Sequence, residues 1–85
     1  MNTFLGGLKI SGFDRKSMIS DIIRVISDEM HYNIRSFHID TSGDLFEAYI
    51  SFFIHDTLDI NRTIEQIKQI EGISAATRML KFLKT

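Results

Sequence analysis

A chain of 85 residues has room for one small domain, and 44% hydrophobic with 25% charged residues are the proportions of a globular, water-exposed fold. The formal net charge of −1 excludes a broad basic field that would draw nucleic acid or an anionic membrane. The absence of cysteine excludes a disulfide framework, a thiol nucleophile and a zinc ribbon. With no membrane-length apolar run and no leader-like N-terminus, a reducing cytoplasm without membrane contact is the expected setting.

The first predicted element is a strand over Phe4–Ile10, FLGGLKI, whose Gly6–Gly7 pair allows a bulge or the close approach of another backbone. SGFDRKSM, residues 11–18, then forms a charged elbow. Beyond it Ile19, Ile22, Ile23, Ile26 and Met30 recur at helical spacing, widened by Met18 and Val25, and predict an amphipathic helix with its stripe buried. A strand over 33–40, NIRSFHID, and a turn at TSGD follow. The next strand, LFEAYISFFIH, puts Phe46, Ala48, Ile50, Phe52 and Ile54 on one face and Glu47, Tyr49, Ser51, Phe53 and His55 on the other.

A second helix is predicted from about Asp59 to Glu71 on the stripe Ile60, Ile64, Ile67 and Ile70. Gly72 stands at a left-handed C-terminal cap that Ile73 closes, and a last strand covers Ile73–Phe82. The fold class is therefore α+β: a ferredoxin-like β-α-β-β-α-β plait, with a four-stranded antiparallel sheet and two helices on one face. The whole of 1–85 reads as a single domain.

Two helices cover only one face of such a sheet, so Tyr49 and Phe53 are left on the other. A three-residue turn at TSGD puts Phe37 opposite Tyr49 on this outer face and sends Ile34 inward; a two-residue turn reverses both. Tyr49, Phe53, Phe37 and Ile39 form the expected interface of a homodimer. The alternatives are edge-to-edge pairing of strands and scattered surface aromatics.

Catalytic patterns are lacking. His31, His38 and His55 have no metal-ligand spacing, and His38 with Asp40 on one strand face supplies too few ligands for zinc. There is no nucleophile elbow or P-loop, and Asp14, Asp21 and Asp28 are accounted for by a helix start. No catalytic residue, metal or cofactor is assigned. RNA-recognition motifs share the element order, but Lys9 stands where the first strand should carry a base-stacking ring. Tyr49 and Phe53 also lack the accompanying basic-glycine pair.

The elbow is the remaining candidate. A helix beginning between Gly12 and Ser17 leaves backbone N–H groups unpaired; Asp14 or Ser17 can cap one or two, and the rest suit a carboxylate. Gly12 permits the sharp exit from the strand. The plain alternative is a capped helix start with Arg15 and Lys16 in solvent.

ISGFDRKSMISDIIRVISDEMHYNIRS, a hairpin, and IEQIKQIEGISAATRM together resemble the ACT domain family over roughly residues 8–80. The resemblance runs through the G-x-D-R elbow, Asp21-Ile22, Asn33-Ile34, Gly72-Ile73 and Arg78. Within the family it points to the C-terminal modules of bifunctional GTP pyrophosphokinases, the alarmone synthetase/hydrolases of the bacterial stringent response. It implies a non-catalytic regulatory and assembly module, a piece of a larger enzyme whose catalytic domains are its partners. Contact with nucleic acid or the ribosome is implied only through that parent; a free-standing ACT protein is the other parentage.

The resemblance also implies a homodimer and an amino-acid effector, branched-chain first. It places the effector against Gly12, Phe13, Asp14, Arg15, Lys16 and Ser17, with Asn33 and Ile34 approaching from a neighbouring strand. The family usually has glycine where this chain has Lys16-Ser17, and Ser17 is expected to serve as helix cap instead.

Overall fold

Alternation along residues 45–54 does what its period predicts: Phe46, Ala48, Ile50, Phe52 and Ile54 are buried while Leu45, Glu47 and Phe53 are exposed. The computed structural model describes residues 3–79. The elements are β1 (Phe4–Phe13), α1 (Met18–Ile23), β2 (Ile34–Ser42), β3 (Leu45–Ile54), α2 (Leu58–Ile67) and β4 (Ile73–Arg78). The strands form one antiparallel sheet in the order β2-β3-β1-β4. Both helices lie on one face, where Ile22, Ile26, Ile60 and Ile67 close over Leu8, Ile10, Ile50 and Phe52. This is the expected plait. The part of the last predicted strand beyond residue 79 lies outside the described residues.

β1 runs three residues longer than its apolar pattern, because Gly12 pairs with Phe46 and Phe13 with Leu45 before the chain leaves the sheet. The first helix is not one uniform stripe. Arg24–Glu29 continue α1 in wider π-type turns, the Met30 N–H reaching the Val25 carbonyl at 2.9 Å. Met18, Ile22, Val25 and Ile26 face the sheet, whereas Ile19 and Ile23 of the predicted stripe are exposed. Two apolar rows overlap here at helical spacing, and only the sheet decides which is inner.

The hairpin turn has two residues, Gly43 and Asp44, between the paired Ser42 and Leu45, and Gly43 takes φ 60°. Phe37 therefore faces Ile50 and Ile39 faces Ala48, half-buried against the helix-side core. This corrects the expectation that they belong to an outer interface. Ile34 escapes the reversal because β2 bulges between Ile34 and Ser36, bringing Ile34 back opposite Phe52.

α2 opens with a reciprocal cap. The Asp56 carboxylate accepts the Leu58 N–H at 2.8 Å, and the Asp59 carboxylate accepts the N–H groups of Asp56 (3.1 Å) and His55 (3.3 Å). The helix ends four residues before the predicted Glu71 and unwinds through tighter turns, Ile70 N–H to Ile67 and Ile73 N–H to Ile70. Gly72, at φ 97°, occupies the left-handed position its sequence context predicts, and Ile73 packs on the core.

Candidate functional site

The elbow, residues 14–17, is built by contacts at both ends. The Asp14 N–H donates to the Asp44 carbonyl at 2.8 Å, fixing the elbow to the hairpin turn, and the Phe13 N–H donates to the Gly72 carbonyl at 2.9 Å. Ser17 turns the chain into α1 through a left-handed conformation, φ 70°. Its hydroxyl makes no cap, and no Asp14 side-chain bond replaces it among the described residues, so the expected capping by Asp14 or Ser17 is corrected. The conformation explains both facts: capping needs an extended residue, and Ser17 stands where glycine would turn without strain. Met18 N–H folds back on the Arg15 carbonyl and Asp21 N–H on that of Ser17. The N–H groups of Ile19 and Ser20 have no acceptor among the described residues.

Gly12 is not a hinge. It lies within β1, and a Cβ there would run into the Gly72 carbonyl oxygen, so glycine is needed for backbone contact rather than for a sharp exit. Phe13 points to the open face, 59% exposed, directly opposite the exposed Leu45. Lys16 is exposed. Arg15 is tied to the Glu71 carbonyl (2.8 Å), the Lys16 carbonyl (2.9 Å) and Asp21 (2.9 Å), which corrects the picture of a solvated arginine. Asp21 also receives Arg24 at 3.2 Å; the bonds from Arg15 and then Arg24 hold its carboxyl below the ordinary carboxylate range.

Asn33 and Ile34 are not part of this cluster. The Asn33 carbonyl accepts the Phe53 N–H, whereas Phe13 sits beside Leu45. Eight strand residues at about 3.3 Å each separate the two ends, roughly 26 Å. Only a second copy could bring Asn33 to an elbow.

The open face has a polar middle and apolar ends. Lys9 and His38 flank Tyr49 on the neighbouring strands. The Tyr49 hydroxyl donates to Glu47 at 2.9 Å, which raises its pKa; Lys9 pairs with Glu47 at 3.4 Å and His38 with Asp40 at 3.2 Å. Asp40 and Glu47 lie directly opposite each other, a placement that repels phosphates and does not suit a base-stacking platform. At one end Phe13 meets Leu45, and at the other Leu5 meets Phe53. Beside Leu45, an open hollow of about 430 Å³ is lined by Ser11, Ser42 and Ser74 together with Asp40 and Glu47. No group of three metal-ligating side chains converges among the described residues.

On the helix side, apolar periodicity does not single out Asp59, although its signal, Asp-x-x-Asp at 56–59, is in the sequence. It is buried, 7% exposed. Burial alone would push its carboxyl up; the Tyr32 hydroxyl, the Asp56 and His55 N–H groups and Arg62 outweigh that and set it below the usual range. Tyr32 in turn stacks on Phe52, ring centroids 5.5 Å apart, and its phenol is pushed up to about 12 by burial and by the Asp59 carboxylate.

The described residues form a four-stranded antiparallel plait with two helices on one face of the sheet and the other face open. The sequence profile of the ACT domain matches residues 1–78, and the chain belongs to that family. It is 29% identical over 73 residues to the GTP pyrophosphokinases of Streptomyces antibioticus and Streptomyces coelicolor. The match covers 85% of this chain but only 9% and 8% of those proteins, so the chain spans less than a tenth of their length. The crystal structure of the ACT domain from the GTP pyrophosphokinase of Chlorobium tepidum superposes with a TM-score of 0.81 at 24% identity. It covers 92% of this chain and all of that one, and it shows the same fold.

Proposed function

We propose that this ACT domain is the non-catalytic regulatory module of a longer cytoplasmic polypeptide, a GTP pyrophosphokinase of the stringent response, and that it binds an amino acid at the elbow. The observation that carries the effector reading is the pair of unpartnered N–H groups at Ile19 and Ser20, beside a residue in left-handed backbone and within the first turn of a helix. Such groups suit a carboxylate. Family membership and the Streptomyces relatives support the regulatory part of the reading, and the parent's catalytic domains are its proposed partners.

Self-association belongs to the same proposal. The open face offers Phe13 and Leu45 at one end and Phe53 at the other, 59%, 54% and 40% exposed, and Tyr49 between them. A second copy on this face covers those rings, and Asn33 of one copy then has a route to the elbow of the other. Titration of the labelled chain with leucine, isoleucine and valine, read by amide shifts, tests the effector reading. Shifts centred on Lys9, Tyr49 and Phe53 with oligonucleotides would favour RNA binding instead.

A further inference from the structure

Arg15 joins three pieces of chain. Its Nε–H donates to the Glu71 carbonyl in the turn between α2 and β4, one terminal N–H donates to the Lys16 carbonyl in the elbow, and the other reaches Asp21 on α1. The same turn touches the end of β1 twice more, through the bond from Phe13 N–H to the Gly72 carbonyl and through the backbone contact of Gly72 with Gly12. The methyl of Met18, the first residue of α1, also packs against Gly72. The elbow and the turn into β4 thus share a boundary crossed by two hydrogen bonds, one from the Phe13 N–H and one from Arg15, the one side chain among them. That cation is 31% exposed on its side chain, within reach of a solute, and it lines a polar cleft with Asp21, Arg24 and Glu71.

We infer that Arg15 is a latch. The Asp21 carboxylate is its resident partner, and a carboxylate arriving at the elbow that draws the guanidinium away from Asp21 also withdraws it from the Glu71 carbonyl and loosens the turn that leads into β4. The chemistry is an exchange of one carboxylate for another at a guanidinium, with no net change in charge pairing on Arg15. Asp21 keeps its second partner, Arg24, so it is not left alone when Arg15 departs. The Glu71 carbonyl has no such reserve among the described residues and turns to water. Occupancy at one end of the sheet is thereby reported to β4, an element that contributes no residue to the elbow. This deepens the elbow-binding reading and rests on it for its trigger.

The test has two arms on the 85-residue chain. Without ligand, Arg15→Lys, which keeps the charge but loses the fork, should raise amide exchange at Phe13 and Ile73 several-fold while Ile50 and Phe52 stay protected; unchanged exchange at Phe13 and Ile73 overturns the latch. In the second arm, sodium acetate is titrated into the native chain and into Asp21→Asn, following the Arg15 Nε–H resonance and the amides of residues 71–73. The latch predicts that these move together with elbow amides 15–20. It also predicts that Asp21→Asn binds acetate roughly twofold to fivefold more tightly, the strength of a partly exposed ion pair. Elbow shifts with Arg15 Nε–H and residues 71–73 unmoved overturn the latch and leave elbow binding intact. No response in either chain overturns both.

Discussion

Gly12 and Gly72 lie backbone to backbone: the carbonyl oxygen of Gly72 fills the space that a side chain on Gly12 would need, and the neighbouring Phe13 N–H donates to that same oxygen at 2.9 Å. The obstacle is main chain, so no rotamer relieves it. Gly12→Ala is expected to lower unfolding free energy by about 2–4 kcal/mol. Gly43→Ala is the control. It has open space around it and pays only for φ 60°, about 1 kcal/mol. Urea denaturation of the two variants checks the ranking; equal losses would contradict the packing argument.

Ser17 carries a side chain in a left-handed conformation and uses its hydroxyl for no cap. Ser17→Gly should therefore stabilise the fold by up to about 1 kcal/mol, and Ser17→Ala should change little. A loss near 1 kcal/mol in Ser17→Ala would restore the capping role that the structure removes.

The stability of α2 should depend on acid pH through Asp59. Its carboxyl is depressed in the fold below the ordinary value of 3.8, so its contribution is complete above that value and is lost as pH falls through the folded pKa. Asp21 acts in the same direction. Asp59→Ala removes an acceptor from two backbone N–H groups and is expected to cost about 1–3 kcal/mol at neutral pH. It should also flatten the fall in stability below pH 4. Equilibrium unfolding across pH 2 to 7 measures both effects; an unaltered acid limb in the variant would show that Asp59 is not the titrating group.

Much of this fold was legible because its signals are periodic. The period of two along Phe46–Ile54 and the helical spacing of Ile60 and Ile67 each survive in the structure, as does Gly72 ahead of Ile73. What was not legible depends on distant chain. TSGD accommodates turns of two or three residues, and only the fit of β2 on β3 selects two, which moves Phe37 and Ile39 inward. The bulge at Arg35 and the contact of Gly12 with Gly72 are likewise set by partners far along the sequence. The position of the elbow between β1 and α1 follows from the sequence, but its bonding does not, because Arg15 reaches a carbonyl 56 residues away. Asp56-x-x-Asp59, by contrast, is a local cap signal that the sequence carries in full.

The open face should set the oligomeric state. Burial there is worth roughly 25 cal/mol per Å² before association entropy is subtracted, enough for a weak dimer from a patch of a few hundred square ångströms. Phe13→Ser with Phe53→Ser should shift sedimentation toward monomer while circular dichroism stays native-like. A dimer that persists would move the interface to a strand edge, β2 or β4, and a native chain that is monomeric at millimolar concentration would remove self-association.

The central claim, that the elbow is an amino-acid site, is tested most directly by amide chemical-shift mapping with leucine, isoleucine and valine at millimolar concentration. The account predicts saturable shifts concentrated at residues 13–20, strongest at Ile19 and Ser20, whose N–H groups have no acceptor among the described residues. Spectra that stay unchanged there with every standard amino acid would contradict it.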